Sequence, residues 1–133
     1  MPNRAAWAEI DLGALAHNYR EIRSRIQKGA KLCAVVKADA YGHGAIAAAR
    51  VALDEGADYI AVATLSEALK LRAAGFTCPL LILGLVEPES AREVVDADIT
   101  QTVCRMDLVE ALSQEAERQG KTVKVHLTIE TGM

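Results

Sequence analysis

The chain has 133 residues, a formal net charge of -3 and 51% hydrophobic residues, with aromatics at only 4%. That length suits one ordinary domain, and the interspersed charges give no basic footprint for nucleic acid. No apolar run reaches the roughly 20 residues of a membrane span, and Met1-Pro2-Asn3-Arg4-Ala5 lacks the apolar stretch of a secretory signal. The core must be built from Ala, Val, Leu and Ile. Cys33, Cys78 and Cys104 are widely spaced, odd in number and in or beside apolar segments. Buried thiols are therefore expected rather than a disulfide or metal site. The whole suits a soluble cytoplasmic domain.

Ala6 to Leu12 alternates in character and reads as a short strand, with Asp11 able to cap the helix after it. Apolar residues from Leu12 to Ile26 recur at helical spacing. Arg20, Arg23, Arg25 and Lys28 gather near the end of this helix, where the dipole favours cations, and Gly29 stops it. Leu32 to Lys37 is the next strand, then come a glycine loop and a helix from Ala45 to Leu53 closed by Gly56. Tyr59–Ala63 is a second strand. Thr64 or Ser66 can cap a helix from Glu67 to Ala74. Pro79–Gly84 is a third strand, and Pro88–Val95 a short helix with proline in its first turn. Ile99–Cys104 is a fourth strand, Asp107–Gln119 a helix ended by Gly120, and Thr122–Ile129 a fifth strand. Strand and helix alternate at roughly twenty-residue spacing, which means parallel strands covered by helices. Both an open doubly wound sheet and part of a (β/α)8 barrel fit this pattern.

The stretch with the most chemistry is Leu32-Cys33-Ala34-Val35-Val36-Lys37-Ala38-Asp39-Ala40-Tyr41-Gly42-His43-Gly44. Its valine-rich start reads as a strand buried on both faces. A lysine closing such a strand is costly to bury unless something uses it. Desolvation lowers a lysine's pKa from about 10.4 and so raises the share of neutral, nucleophilic amine. Lys37 is therefore a candidate Schiff-base lysine, against the plainer reading that it reaches solvent along its stem. Gly42 and Gly44 permit unusual dihedrals or a close backbone approach, and His43 between them reads as a loop residue. Gly-His-Gly is too short for a phosphate-binding P-loop or a dinucleotide fingerprint.

The string Val36-Lys37-Ala38-Asp39-Ala40-Tyr41-Gly42-His43-Gly44 closely resembles the pyridoxal-phosphate lysine motif of the alanine racemase family, which usually has Asn at the place of Asp39. The tail His126-Leu127-Thr128-Ile129-Glu130-Thr131-Gly132-Met133 resembles a second family block, typically His-Leu-Lys-x-Asp-Thr-Gly-Met. The resemblance implies a (β/α)8 TIM-type barrel followed by a mostly β C-terminal domain. A closed barrel takes about 250 residues, so the five strands read here are expected to be the N-terminal part of one, an apparently truncated barrel. Residues 1–12 are then an N-terminal strand associated with the C-terminal domain, and residues 13–133 the barrel portion.

The resemblance further implies a pyridoxal 5'-phosphate enzyme interconverting L- and D-alanine, the latter for peptidoglycan. Lys37 would be the Schiff-base lysine and the base on one face of the substrate. Tyr41 would contact the cofactor near its phosphate, and Leu83 would lie near its ring; ordinary rim and core packing are the plainer readings of these two. No metal, nucleic acid or membrane is implied. The second base in the family is a tyrosine from the partner subunit, so a head-to-tail homodimer is expected. Thr128 stands where the family has a lysine that is often carbamylated, and a threonine cannot be. The alternatives are a racemase of serine or another small amino acid, and a single-barrel pyridoxal-phosphate carrier.

Overall fold

The computed structural model of the chain describes residues 6–132. Five strands form one parallel sheet: β1 (Cys33–Val35), β2 (Tyr59–Val62), β3 (Leu80–Ile82), β4 (Ile99–Val103) and β5 (Val125–Leu127). Their spatial order is their order in the chain, β1-β2-β3-β4-β5. The register runs Val35 to Ala61, Ala61 to Leu81 and Leu81 to Thr100, so each strand continues the rows of the one before. The helices are α1 (Leu12–Arg25), α3 (Ala45–Asp54), α4 (Leu65–Ala73), α5 (Ala91–Asp96) and α6 (Met106–Gln119), with one short turn, α2 (Lys37–Tyr41), directly after β1.

That order decides between the two architectures left open by the sequence. Parallel crossovers are right-handed. When every crossover also steps the same way, all helices fall on one face and the sheet is wound once. A doubly wound sheet reverses its order at a switch point; this one has no reversal. It is an arc of a (β/α)8 barrel.

The core lies between the sheet and its helices. Ala34, Val36, Ile60, Val62, Leu80, Ile82, Ile99 and Val103 meet Ala48, Ala49, Ala52, Ala68, Leu71, Val94, Leu108 and Leu112 in one buried cluster. Ala-rich α3 lets its helix sit close to the sheet. The other face is where the strand reading fails. Val35 is 39% exposed and Cys33 is exposed, so β1 is buried on one face only. A singly wound sheet has helices on one side, and a strand's alternate residues point to the other. The same geometry corrects the expectation of buried thiols: Cys33 and Cys104 are exposed and Cys78 is half-buried, and all three are free.

Local signals explain several of the helix boundaries. Asp11 caps α1, its carboxylate accepting from the Ala14 N–H at 3.0 Å. Thr64 and Glu67 form a reciprocal capping box at α4, which begins at Leu65, before the expected Glu67. Pro88 opens a 3-10 turn, Pro88–Ser90, and the α-helix proper starts only at Ala91. Gly120 ends α6 in the left-handed region at φ 63°. Residues 6–11 form no strand, since no described segment pairs with them; residues 1–5 of the expected N-terminal strand region lie outside the described residues. At β5 only the three residues Val125–Leu127 pair, all exposed, because β4 lies on one side and no described strand on the other.

Candidate active site

Lys37 sits where a parallel barrel places its chemistry, at the carboxyl end of a strand. Val36 before it is almost completely buried and donates its N–H to Ala61 O at 2.8 Å. Lys37 itself is half-buried. The chain does not continue outward into an ordinary helix. Ala38, Asp39, Ala40 and Tyr41 all have φ between 50° and 54°, a left-handed turn built without glycine. Left-handed backbone costs an L-residue roughly 1–2 kcal/mol. Four in a row therefore cost several kcal/mol, a sizeable fraction of the roughly 5–15 kcal/mol net stability of a domain.

Specific bonds hold the turn. Within it, the Ala40 N–H donates to Val36 O at 2.9 Å and the Gly44 N–H to Asp39 O at 2.9 Å. Asp39 Oδ1 accepts from the Ala45 N–H at 2.8 Å and so ties the turn to the start of α3. His43 Nδ1 lies 2.9 Å from Ala40 O, which fits its expected loop role. From the next βα unit, Glu67 Oε1 accepts from the Ala38 N–H at 2.7 Å. Burial would push the Glu67 carboxyl up, but hydrogen bonds from Ala38, Ala63 and Thr64 outweigh it and hold the group below its ordinary value. Strained backbone persists only where its surroundings over-determine it, and such places cluster at functional sites.

The other two candidate residues lie on the same rim. Leu83 follows β3, donates its N–H to Val62 O at 2.8 Å, and is 42% exposed. It continues the row of Leu81, which lies in register with Val35 of β1, the strand that Lys37 follows. Two strand spacings separate those strands, about 10 Å of backbone, a width suited to a planar ring. Tyr41 ends the left-handed turn with 63% of its surface exposed. Thr128 lies just past β5, its N–H on Val103 O at 2.9 Å, on this rim as well. Gly84 has a reason to be glycine: a Cβ there would stand 2.5 Å from Ala63 O.

Sequence reasoning does not single out Glu67. The Thr-x-x-Glu signal at Thr64 to Glu67 announces a helix start, but nothing local shows that the same carboxylate reaches back to the lysine turn. The turn itself reads from the sequence as a plain loop.

Residues 10–133 match the family described as "Alanine racemase, N-terminal domain". The alanine racemase of Desulfovibrio desulfuricans is 50% identical over 131 residues, covering 98% of this chain and 35% of that protein. A structure of the Clostridium difficile 630 alanine racemase superposes with TM-score 0.93 at 36% identity, covering 100% of this chain and 35% of the other. A Bacillus anthracis alanine racemase with bound L-Ala-P gives TM-score 0.89 at 37% identity over 98% of this chain and 33% of that one. The chain thus spans about a third of the length of these relatives. With the lysine turn, the singly wound arc and a match over nearly its full length, the chain belongs to the alanine racemase N-terminal domain family.

Proposed function

We propose that this chain is the cofactor-holding part of a pyridoxal 5'-phosphate-dependent alanine racemase, with Lys37 as its covalent anchor. The observation that carries the reading is the strained left-handed turn that starts at Lys37, on the carboxyl rim of the barrel arc, in a chain of this family. The residues present fit the group. Lys37 is half-buried at the end of an apolar strand, and Leu83 stands two strands away on the same rim. Lys37 would hold the cofactor, Leu83 would lie against its ring, and Tyr41 would reach its phosphate side.

When bound, pyridoxal phosphate supplies an electron sink for the charge left when an amino acid's Cα proton is removed. Lys37 Nζ takes or returns that proton on one face of the substrate, as a base fixed by the backbone behind it. Racemisation needs a second base on the opposite face. Following the family resemblance, that base is assigned to a tyrosine of the partner subunit in a homodimer. Following the same resemblance, the N-terminal segment, residues 1–12, is assigned to association with a C-terminal β domain. The names of the relatives support alanine as substrate. The role assigned with it is the cytoplasmic supply of D-alanine.

The test is Lys37→Ala in the full polypeptide. After reduction with borohydride, intact mass should show the cofactor covalently attached to the unmodified protein and none on the variant. Retained attachment in Lys37→Ala would place the anchor elsewhere. Racemisation of L-alanine, followed with D-amino-acid oxidase, should be lost in the same variant.

A further inference from the structure

We propose that Glu67 is the positioning residue of the lysine turn: its carboxylate clamps the first amide after Lys37 to the loop after β2, so that the amine is presented from a fixed backbone. The proposal rests on the reading of Lys37 as the anchor.

Both oxygens of Glu67 are used, and for different elements. Oε1 accepts from the Ala38 N–H at 2.7 Å. Oε2 accepts from the Ala63 N–H at 2.8 Å and the Thr64 N–H at 3.1 Å. A capping box needs only the Thr64 contact and its reciprocal, the Glu67 N–H on Thr64 Oγ1 at 3.3 Å. The bonds to Ala38 and Ala63 go beyond it. They join two neighbouring βα units, with Ala38 lying 29 residues before Glu67.

The chemistry asks for glutamate. Three donors converge, so the acceptor should be an anion with two oxygens, which makes stronger hydrogen bonds than a neutral group. Glutamine would turn its NH2 toward either the turn or the loop, donor against donor. Aspartate is one methylene shorter and cannot reach both. The site of the clamp matters as well. Ala38 is the first of four residues held in left-handed backbone. Without an outside partner for its N–H, that strain has a route to relax, and Lys37 is the adjoining residue.

The experiment compares Glu67→Gln, Glu67→Asp and Thr64→Ala in the full polypeptide. Amide hydrogen exchange over residues 36–45 is read by mass spectrometry on cofactor-free protein. Pyridoxal phosphate is then titrated into each. Glu67→Gln should speed exchange in that segment and weaken cofactor binding, each by on the order of tenfold. Glu67→Asp keeps the charge and the cap but loses the reach, and should show the same faster exchange. Thr64→Ala removes only the cap hydroxyl; it should lower Tm yet leave both readouts within about twofold. If Glu67→Gln or Glu67→Asp behaves like Thr64→Ala, Glu67 is a helix cap and nothing more. If Lys37→Ala still attaches the cofactor, the anchor reading falls, and with it the purpose given to the clamp; unchanged exchange in the Glu67 variants sinks the clamp alone.

Discussion

At the scale of single residues, some side chains brace the fold by binding backbone rather than other side chains. Arg72 is the clearest case. Its guanidinium donates to Phe76 O, Cys78 O, Ala97 O and Asp98 O, each at 2.8 Å. Two connections, the one between α4 and β3 and the one between α5 and β4, are thereby held by one side chain. The rigid fork of arginine is what spans them. Arg72→Ala leaves four carbonyls without this donor, three of them part-buried, and should cost about 2 kcal/mol. Arg72→Lys should recover less than half, since an ammonium is a point donor on a flexible stem. Urea unfolding with an unchanged m-value checks both. A lysine variant as stable as the original would mean that charge, not the fork, is what counts. Arg72 lies toward the amino ends of the strands and Glu67 toward the carboxyl ends, on the same helix, so α4 braces both rims of the arc.

At the scale of elements, the left-handed turn gives the sharpest contrast. Glycine in a right-handed helix loses about 1 kcal/mol against alanine. At positive φ the steric penalty on alanine reverses that balance. Ala38→Gly, at φ 50° and exposed, should leave the protein at least as stable as before. Ala47→Gly, inside α3, should cost about 1 kcal/mol. Equal losses in thermal unfolding would mean that the turn is not left-handed. The turn is also the element that the sequence hides. Ala38-Asp39-Ala40-Tyr41 has no glycine, and alanine favours the right-handed helix; tertiary bonds from Glu67 and from Asp39 to α3 override that preference. By contrast, the βα alternation is plain in the chain, because buried parallel strands and amphipathic helices leave different periods in it. Asp11, Gly120 and the Thr64 cap are legible for the same local reason. Lys37 and Leu83 can be placed on a rim from strand ends alone. The exposure of Cys33 and Val35 cannot, since an apolar run does not say which of its faces the helices will cover.

At the scale of the whole molecule, the arc has a covered face and an open one. Parallel sheets in folded proteins have both faces covered. Here the helices lie on one side; on the other, Ala61, Leu81 and Thr100 are buried within the sheet's curve while Val35 and Leu83 are exposed. The β5 end is an unpaired strand among the described residues, with Leu127 71% and Ile129 73% exposed beside it. Such an edge is a template for pairing with another chain. Residues 1–133 expressed alone should therefore associate as concentration rises through the micromolar range, about where exposed edges begin to matter, and should bind a hydrophobic dye. The open rows and the edge make separable contributions. Leu127→Lys places a charge on the edge without touching the core cluster, and edge lysines block strand pairing. It should shift sedimentation toward monomer, leave Tm unchanged and leave most dye binding in place, because the open face is untouched. A wild-type fragment that stays monomeric at about 100 µM and takes up no dye would show that the arc closes its own exposed surface. Association that Leu127→Lys does not reduce would instead assign it to the β1 edge, unpaired among the described residues, or to the face of Val35 and Leu83, which in a closed barrel points inward.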